Sequence, residues 1–104
     1  MRRRESMLLN EDEIANHLGP LPDWRRSDGR IVRHLTFANF GAALAFVNRV
    51  GEAAEAADHH PDILIHDWNK VELSLTTHSE NGLTWRDFDL AGKIDVLVEQ
   101  RSDQ

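Results

Sequence analysis

A long amphipathic helix in the middle of the chain constrains the fold more than any other segment. It is predicted from about Asn39 to Ala57, where apolar residues recur at spacings of three and four and alanines favour helix. At ~28 Å it is long enough to cross a small sheet. Pro61 bars its continuation and favours an extended conformation at His60. The predicted buried stripe comprises Phe40, Leu44, Val47, Val50 and Ala54.

Segments of alternating apolar residues flank this helix and predict two antiparallel hairpins. The first hairpin has Asp28-Gly29 at its tip, which predicts a type I′ turn with positive φ at both residues. In the second hairpin Val71, Leu73 and Leu75 are predicted to share the buried face. The predicted strands cover residues 23–26, 30–37, 63–65 and 70–77.

Shorter helices are predicted near both ends of the chain. Asn10 and Glu13 have the spacing of a capping box, and Thr84 and Asp87 repeat that spacing before the last helix. The order α-β-β-α-β-β-α predicts an α+β fold, a four-stranded antiparallel sheet with helices packed on one face. Residues 1–9 are expected to form a flexible N-terminal tail, and 10–104 a single domain.

Composition excludes several functional classes. The net charge of −6 argues against direct nucleic-acid binding, and the only basic run, Arg2-Arg3-Arg4, lies in the expected tail. The chain has no cysteine, which excludes disulfides and thiolate chemistry and fits a cytoplasmic location. No apolar run approaches the ~20 residues of a membrane-spanning helix. We therefore expect a cytoplasmic protein without membrane contact.

Histidine is the residue type most suggestive of chemistry in this chain. Three of the six histidines, His17, His34 and His66, are expected at the surface. The adjacent pair His59-His60 follows the long helix, and His78 follows the last strand. Imidazoles titrate near neutral pH and suit proton transfer. These last three residues are therefore the candidate catalytic groups.

The sequence around the pair strengthens the catalytic interpretation. Successive side chains of an extended segment point to opposite sides, so His59 and His60 would have different tasks. Glu55 and Asp58 are close enough in sequence to orient a ring or fix its tautomer. His78 ends a predicted strand of the same sheet and could return to the same pocket.

Two other interpretations of the histidine pair stay open on the sequence alone. An imidazolium at the end of a helix is favourable beside the negative pole of the helix dipole, so the pair could be a plain cap. Three histidines could also hold zinc. Adjacent side chains on opposite faces cannot easily bind one ion, however, and no H-E-x-x-H helix is present, so no metal is expected.

One joint spacing in the chain resembles the signature of a known family. The pattern Glu55-x3-His59-His60-Pro61-x6-Trp68-x9-His78-x8-Asp87 is similar to that of the pterin-4a-carbinolamine dehydratases, and Gly82-Leu83-Thr84-x-Arg86-Asp87 resembles the start of their last helix. The likeness covers the chain from about Asn10. Trp85 stands where a polar residue is expected.

This resemblance implies a fold, a reaction and an assembly. The implied reaction dehydrates 4a-hydroxytetrahydropterin to quinonoid dihydropterin, in the recycling of pterin for aromatic amino-acid hydroxylases. The implied fold is an α+β domain with the same element order. Homodimers or homotetramers are implied, and no cofactor or metal is.

The resemblance also implies roles for individual residues. His60 and His78 would perform the acid/base work, and His59 would contact the C4a hydroxyl. Trp68 is expected to pack against the protein rather than to stack on substrate. The implied substrate-binding residues are Glu55, Asp58, Pro61, Thr76, Thr77, Ser79 and Asp87.

Two non-catalytic alternatives accompany this hypothesis. Some relatives of this family serve as dimerisation partners of transcription regulators, or as assembly factors, so the chain could be such a module. It could also be a general small-ligand binder on the same fold.

Overall fold

The computed structural model describes residues 7–101, which form three helices and four strands in the predicted order. The predicted α+β class is confirmed. The elements are α1 (Glu11–Leu18), β1 (Arg25–Ser27), β2 (Arg30–Thr36), α2 (Phe40–Ala57), β3 (Asp62–His66), β4 (Lys70–Leu75) and α3 (Trp85–Glu99), with a 3₁₀ turn over His78–Glu80.

The four strands form one antiparallel sheet in the order β1-β2-β4-β3. The predicted alternation in β4 is confirmed, because Val71, Leu73 and Leu75 are all fully buried. They share one hydrophobic cluster with Val50 of α2 and Ile94 of α3. The helices therefore cover one face of the sheet, and this face holds the core.

The local signals at the ends of α1 and α3 are confirmed. Asn10 and Glu13 exchange both hydrogen bonds of a capping box, and so do Thr84 and Asp87. Of the expected tail, Arg2-Arg3-Arg4 lies outside the described residues. The Leu9 amide donates to the Leu83 carbonyl at 3.0 Å, which joins residue 9 to the domain.

The predicted buried stripe of α2 is wrong in its first turns. Val50 and Ala54 are buried as expected, but Phe40 and Leu44 are 48% and 41% exposed. Ala43 and Phe46 are buried instead. At 3.6 residues per turn Leu44 projects about 120° away from Val50 around the helix axis, so it points away from the sheet.

The first hairpin and its boundaries differ in detail from the prediction. The two-residue turn is confirmed, but only Asp28 has positive φ (54°) and Gly29 does not, so the type I′ assignment is wrong. Strand β1 begins at Arg25, two residues later than predicted. Trp24 is buried with the hydrophobic core, and its indole N–H is satisfied by a hydrogen bond to Asp95 at 2.8 Å.

Trp68 does not pack against the protein as expected. It is 59% exposed at the tip of the second hairpin, where Asp67 and Trp68 both have positive φ. The indole lies in the turn between β3 and β4 and does not belong to the hydrophobic core. Its neighbour Asn69 contacts the domain, donating from its side-chain amide to the Phe37 carbonyl at 2.8 Å.

An ion pair links the first helix to the sheet edge and makes stability depend on pH. Arg26 donates to both carboxylate oxygens of Glu11. This hydrogen bond holds the pKa of Glu11 below its ordinary value of 4.5. A lowered folded-state pKa gives stability that is present above the ordinary value and is lost as pH falls through the folded value.

We expect Glu11→Gln to remove this part of the acid sensitivity. Urea midpoints measured from pH 6 down to pH 3 should fall slightly less steeply in the variant than in the wild type, because the exposed pair contributes little. Asp12→Asn, on the same turn of α1, is the matched control and should keep the wild-type slope. Identical slopes for Glu11→Gln and wild type would contradict the expectation.

None of the helices between residues 7 and 101 has both the length and the apolar character needed to cross a bilayer.

Candidate active site

The C-terminal end of α2 meets the N-terminal end of α3, and His59 lies at this junction. Asp58 ends α2 in the left-handed conformation, with φ 52° and ψ 42°. The His59 amide still donates to the Ala54 carbonyl at 3.2 Å, which keeps the chain close to the helix end. This sharp turn directs His59 inwards, where only 9% of the residue is exposed.

The buried partner of His59 is Asp87, from the first turn of α3. His59 Nε2 lies 2.6 Å from Oδ1 of Asp87, and Asp87 is fully buried. Oδ2 of the same carboxylate accepts from the Thr84 amide at 2.9 Å and from the Thr77 hydroxyl at 2.8 Å. Asp87 thus caps α3 and holds His59 at the same time.

The donors in this network can be assigned from chemistry. The Thr77 proton is used on Asp87, so the Thr84 hydroxyl must donate to Thr77 across their 2.7 Å contact. An ionised carboxylate only accepts hydrogen bonds, so His59 donates from Nε2. A neutral His59 then keeps its lone pair on Nδ1. Nδ1 is therefore the nitrogen left to contact a ligand.

His60 has a different partner and a different environment. Its Nε2 lies 2.5 Å from Oε2 of Glu55, one turn back on α2, and both side chains are more than half exposed. With Pro61 and Ile63 they line a groove of about 780 Å³ between α2 and β3. An exposed imidazole held by a carboxylate is free to exchange protons with a ligand or with water.

His78 lies on a short turn after β4, not at the end of a strand as expected. The turn is closed by Thr77 and Gly82, whose backbones exchange two hydrogen bonds of 2.9 and 3.3 Å. Thr76 donates its hydroxyl to the Gly29 carbonyl at 2.7 Å. His78 is exposed and lines a polar cavity of about 340 Å³ with Thr76 and Arg30.

The structure brings some of the candidate residues together and leaves others apart. Asp87 contacts both His59 and Thr77, and Thr77 directly precedes His78 in the chain. Between residues 7 and 101, however, no hydrogen bond or ring contact joins any two of the three imidazoles. Asp58 and Ser79 are exposed, and among residues 7–101 neither side chain makes a hydrogen bond or an ion pair.

His17 and His34 have the surface positions expected of them, whereas His66 is partly buried and lies beside Asp67. His17 stacks on Phe88 with ring centroids 5.2 Å apart. His34 faces Glu72 across the open side of the sheet at 3.8 Å. The described residues also contain no group of three or more histidine or acidic side chains placed to hold a metal ion.

Sequence reasoning missed two parts of this site. The Thr84 side chain was identified only as a helix cap, although its hydroxyl belongs to the Asp87 network. The second part is a shallow groove beside His59 on the exposed face of α3, with a volume of about 180 Å³. Its lining residues are Ala57, His59, Trp85, Arg86, Asp89 and Lys93. The unusual tryptophan was the one sequence signal for this groove.

Known proteins share the sequence along most of the chain. The family model described as pterin 4 alpha carbinolamine dehydratase matches residues 7–97. A protein of Nocardia farcinica and one of a Picosynechococcus species, both provisionally named pterin-4-alpha-carbinolamine dehydratase, are 53% and 52% identical over 91 and 89 residues. These matches cover 88% and 86% of this chain, and 95% and 96% of the relatives.

Solved structures share the fold as well. The crystal structure of a transcriptional coactivator/pterin dehydratase from Brucella melitensis has a TM-score of 0.81 at 34% identity, over 86% of this chain and 97% of that one. A pterin dehydratase-like protein described as a RuBisCO assembly factor in the alpha-carboxysome has a TM-score of 0.58 at 17% identity, which shows a shared fold alone. Sequence and structure together lead to one conclusion: the chain belongs to the pterin 4 alpha carbinolamine dehydratase family.

Proposed function

We propose that this protein dehydrates 4a-hydroxytetrahydropterin to quinonoid dihydropterin and water. In this reaction the N5 lone pair forms a C4a=N5 double bond while the C4a–O bond breaks. A general acid protonates the departing hydroxyl, and a general base takes the proton from N5. Two proton transfers are therefore needed, one at each end of the new double bond.

In this proposal His60 and His78 carry the two protons. Each is exposed, so each can reach a substrate and then re-equilibrate with solvent. General acid or base catalysis contributes about 10²–10⁴-fold per group. Which of the two acts as the acid is set by where the pterin lies between them.

His59 has a positioning task in the same proposal. Asp87 holds its Nε2–H, so Nδ1 is oriented and can accept a hydrogen bond from the C4a hydroxyl. Glu55 orients His60 in a similar way. Thr76, Thr77 and Ser79 border the polar edge of the pterin in this arrangement, and Asp58 and Pro61 shape the turn next to it.

The observation that carries the proposal is the contrast within the histidine pair. Two adjacent imidazoles contact two different carboxylates, one buried at 2.6 Å and one exposed at 2.5 Å. A plain helix cap would require neither carboxylate. The chain also belongs to a dehydratase family, which supports dehydration as the reaction that these histidines would catalyse.

A stopped-flow assay tests the proposal directly. The decay of 4a-hydroxytetrahydropterin is followed with and without the purified protein, since the substrate also dehydrates slowly on its own. We expect acceleration by the wild type and loss of most of it in His78→Ala. Folded protein that leaves the uncatalysed decay unchanged would rule out the dehydratase activity, and a partner-binding role would then be sought first.

Reduction of the product, quinonoid dihydropterin, would regenerate tetrahydropterin. Pterin-dependent aromatic amino-acid hydroxylases would then use this tetrahydropterin. The second candidate function is a coactivator-like binding module, which the name of the Brucella melitensis structure suggests. Activity in the assay does not exclude it, so binding of a regulator protein must be measured separately, with the catalytically weakened His78→Ala as well as the wild type.

We also propose that the chain forms homodimers or homotetramers. Phe40 and Leu44 are exposed on α2, and Ile63 and Leu64 are exposed on the edge strand β3. Exposed apolar side chains and open strand edges are typical of protein interfaces. Light scattering after size-exclusion chromatography should give two or four times the monomer mass of 11.9 kDa.

Introducing a negative charge on the apolar face of α2 tests this assembly. Leu44→Glu should shift the protein towards smaller species, because a carboxylate is costly to bury at an interface. Val96→Glu is the matched control, since Val96 is an exposed apolar residue on α3. A wild type that is monomeric at all concentrations would refute the proposal, and equal effects of both variants would refute the role of α2.

A further inference from the structure

Trp85 is an exposed aromatic residue immediately beside the candidate site. It is 49% exposed at the first position of α3, and it lines the groove that contains His59. Asp89 and Lys93 follow at intervals of four residues, so they continue the same face of the helix. A large indole that borders this groove offers a flat surface to a ligand bound at His59.

A second groove begins on the other side of the same indole. It has a volume of about 350 Å³, and Trp85 and Asp89 line it as well. The rest of its lining is mainly apolar and comes from the end of α1 and from α3: His17, Pro20, Leu21 and Phe88. The two grooves share Trp85 and Asp89 and therefore adjoin each other at these residues, so the indole borders both.

The charged side chains around Trp85 favour binding of an anion. The Arg86 guanidinium lies 5.8 Å from the centre of the Trp85 ring. Lys93 already pairs with Asp89 at 3.2 Å, which cancels both of those charges. Arg86 has no carboxylate partner among the side chains of residues 7–101. One uncompensated positive charge therefore lies next to the aromatic surface, in a protein whose net charge is −6.

We propose that Trp85 and Arg86 select pterins whose C6 substituent is aromatic and carries a carboxylate. The aromatic ring would stack on Trp85, and the carboxylate would pair with Arg86, whose guanidinium lies beside the same indole. A short aliphatic substituent reaches neither group. This inference rests on the proposed function, because it places the pterin ring at His59.

The test compares two substrates that share the pterin ring and differ at C6. The 4a-hydroxy derivative of tetrahydrofolate carries an aromatic substituent with carboxylates, and that of 6-methyltetrahydropterin carries a methyl group. We expect kcat/KM of the wild type to be about tenfold or more higher for the folate substrate, as stacking on an indole allows. Trp85→Ala should lower kcat/KM for the folate substrate by about that factor and leave the methyl substrate within about twofold.

Two further variants test the contribution of Arg86 and control for the loss of an exposed tryptophan. Arg86→Gln should lower kcat/KM for the folate substrate alone and weaken its dependence on salt, because a pairing with the carboxylate is lost. Trp68→Ala removes an equally exposed tryptophan from a distant turn and should affect neither substrate. Equal kcat/KM values for the two substrates in the wild type, or an equal loss for both in Trp85→Ala, would overturn the selectivity.

Failure of the proposed function gives a different result. If the wild type accelerates neither substrate, the dehydratase assignment is wrong. Titration calorimetry with two stable analogues then tests whether the grooves beside Trp85 bind a folate-type ligand. The analogues are 7,8-dihydrofolate and 6-methyl-7,8-dihydropterin. Tighter binding of dihydrofolate, lost in Trp85→Ala, would support a folate-type ligand site. Absent or equal binding of the two analogues would overturn it.

Discussion

His60→Ala is expected to lower the rate of dehydration by about 10²–10⁴-fold, the contribution of one general acid or base. Its stability should stay close to that of the wild type, because the imidazole is more than half exposed and its one described partner is the exposed Glu55. Substitutions at exposed sites usually change stability by about 0.5 kcal/mol or less. The measurements are stopped-flow turnover and the urea midpoint of the same preparation.

Two variants sharpen this prediction. Glu55→Gln keeps a hydrogen-bond acceptor beside His60 but removes the charge, so it should reduce the rate less than His60→Ala does. His34→Ala is the matched control, since His34 is also exposed beside a carboxylate, that of Glu72, on the open face of the sheet. If His34→Ala and His60→Ala reduce turnover equally, His60 has no catalytic role.

Asp87→Ala is expected to lower the free energy of unfolding by about 3–5 kcal/mol, because three buried donors lose their acceptor at about 1–3 kcal/mol each. The substitution leaves the Thr84 amide, the Thr77 hydroxyl and His59 Nε2 without their acceptor in a buried site. Turnover should also fall, because the orientation of His59 is lost. Urea denaturation at pH 7 measures the free energy of unfolding, and the stopped-flow assay measures turnover.

The control for Asp87→Ala lies two residues along the same helix. Asp89→Ala removes an exposed carboxylate whose ion pair with Lys93 is worth at most about 0.5 kcal/mol. Asp87→Asn keeps the shape but presents an amide N–H₂ to one of the donors, so its stability should lie between those of Asp87→Ala and wild type. A loss for Asp87→Ala no larger than that for Asp89→Ala would show that the network does not stabilise the fold.

Local signals predicted most of the fold. The capping boxes at Asn10 and Thr84 depend on side chains three residues apart, and the alternation in β4 depends on the strand alone, so the sequence carries this information directly. The face of α2 was misjudged because Phe40 and Leu44 are as apolar as core residues. Only the position of the sheet decides which apolar positions are covered.

The candidate site could be predicted in its residues but not in its contacts. Asp87 and His59 are 28 positions apart, and no local rule connects them. The resemblance to a family named both as site residues, but their hydrogen bond is known only from the structure. His78 was expected on a strand. The ladder ends at Leu75, because the chain then turns back through the Thr77–Gly82 bridge.

The double use of Asp87 couples the timing of helix fraying to the orientation of the histidine. When the Thr84 amide leaves the carboxylate the first turn of α3 opens, and Asp87 then keeps only the Thr77 hydroxyl and His59 as hydrogen-bond partners. Ends of helices open locally far more often than whole domains unfold. We therefore expect fraying of this one helical turn to loosen the orientation of His59 as well.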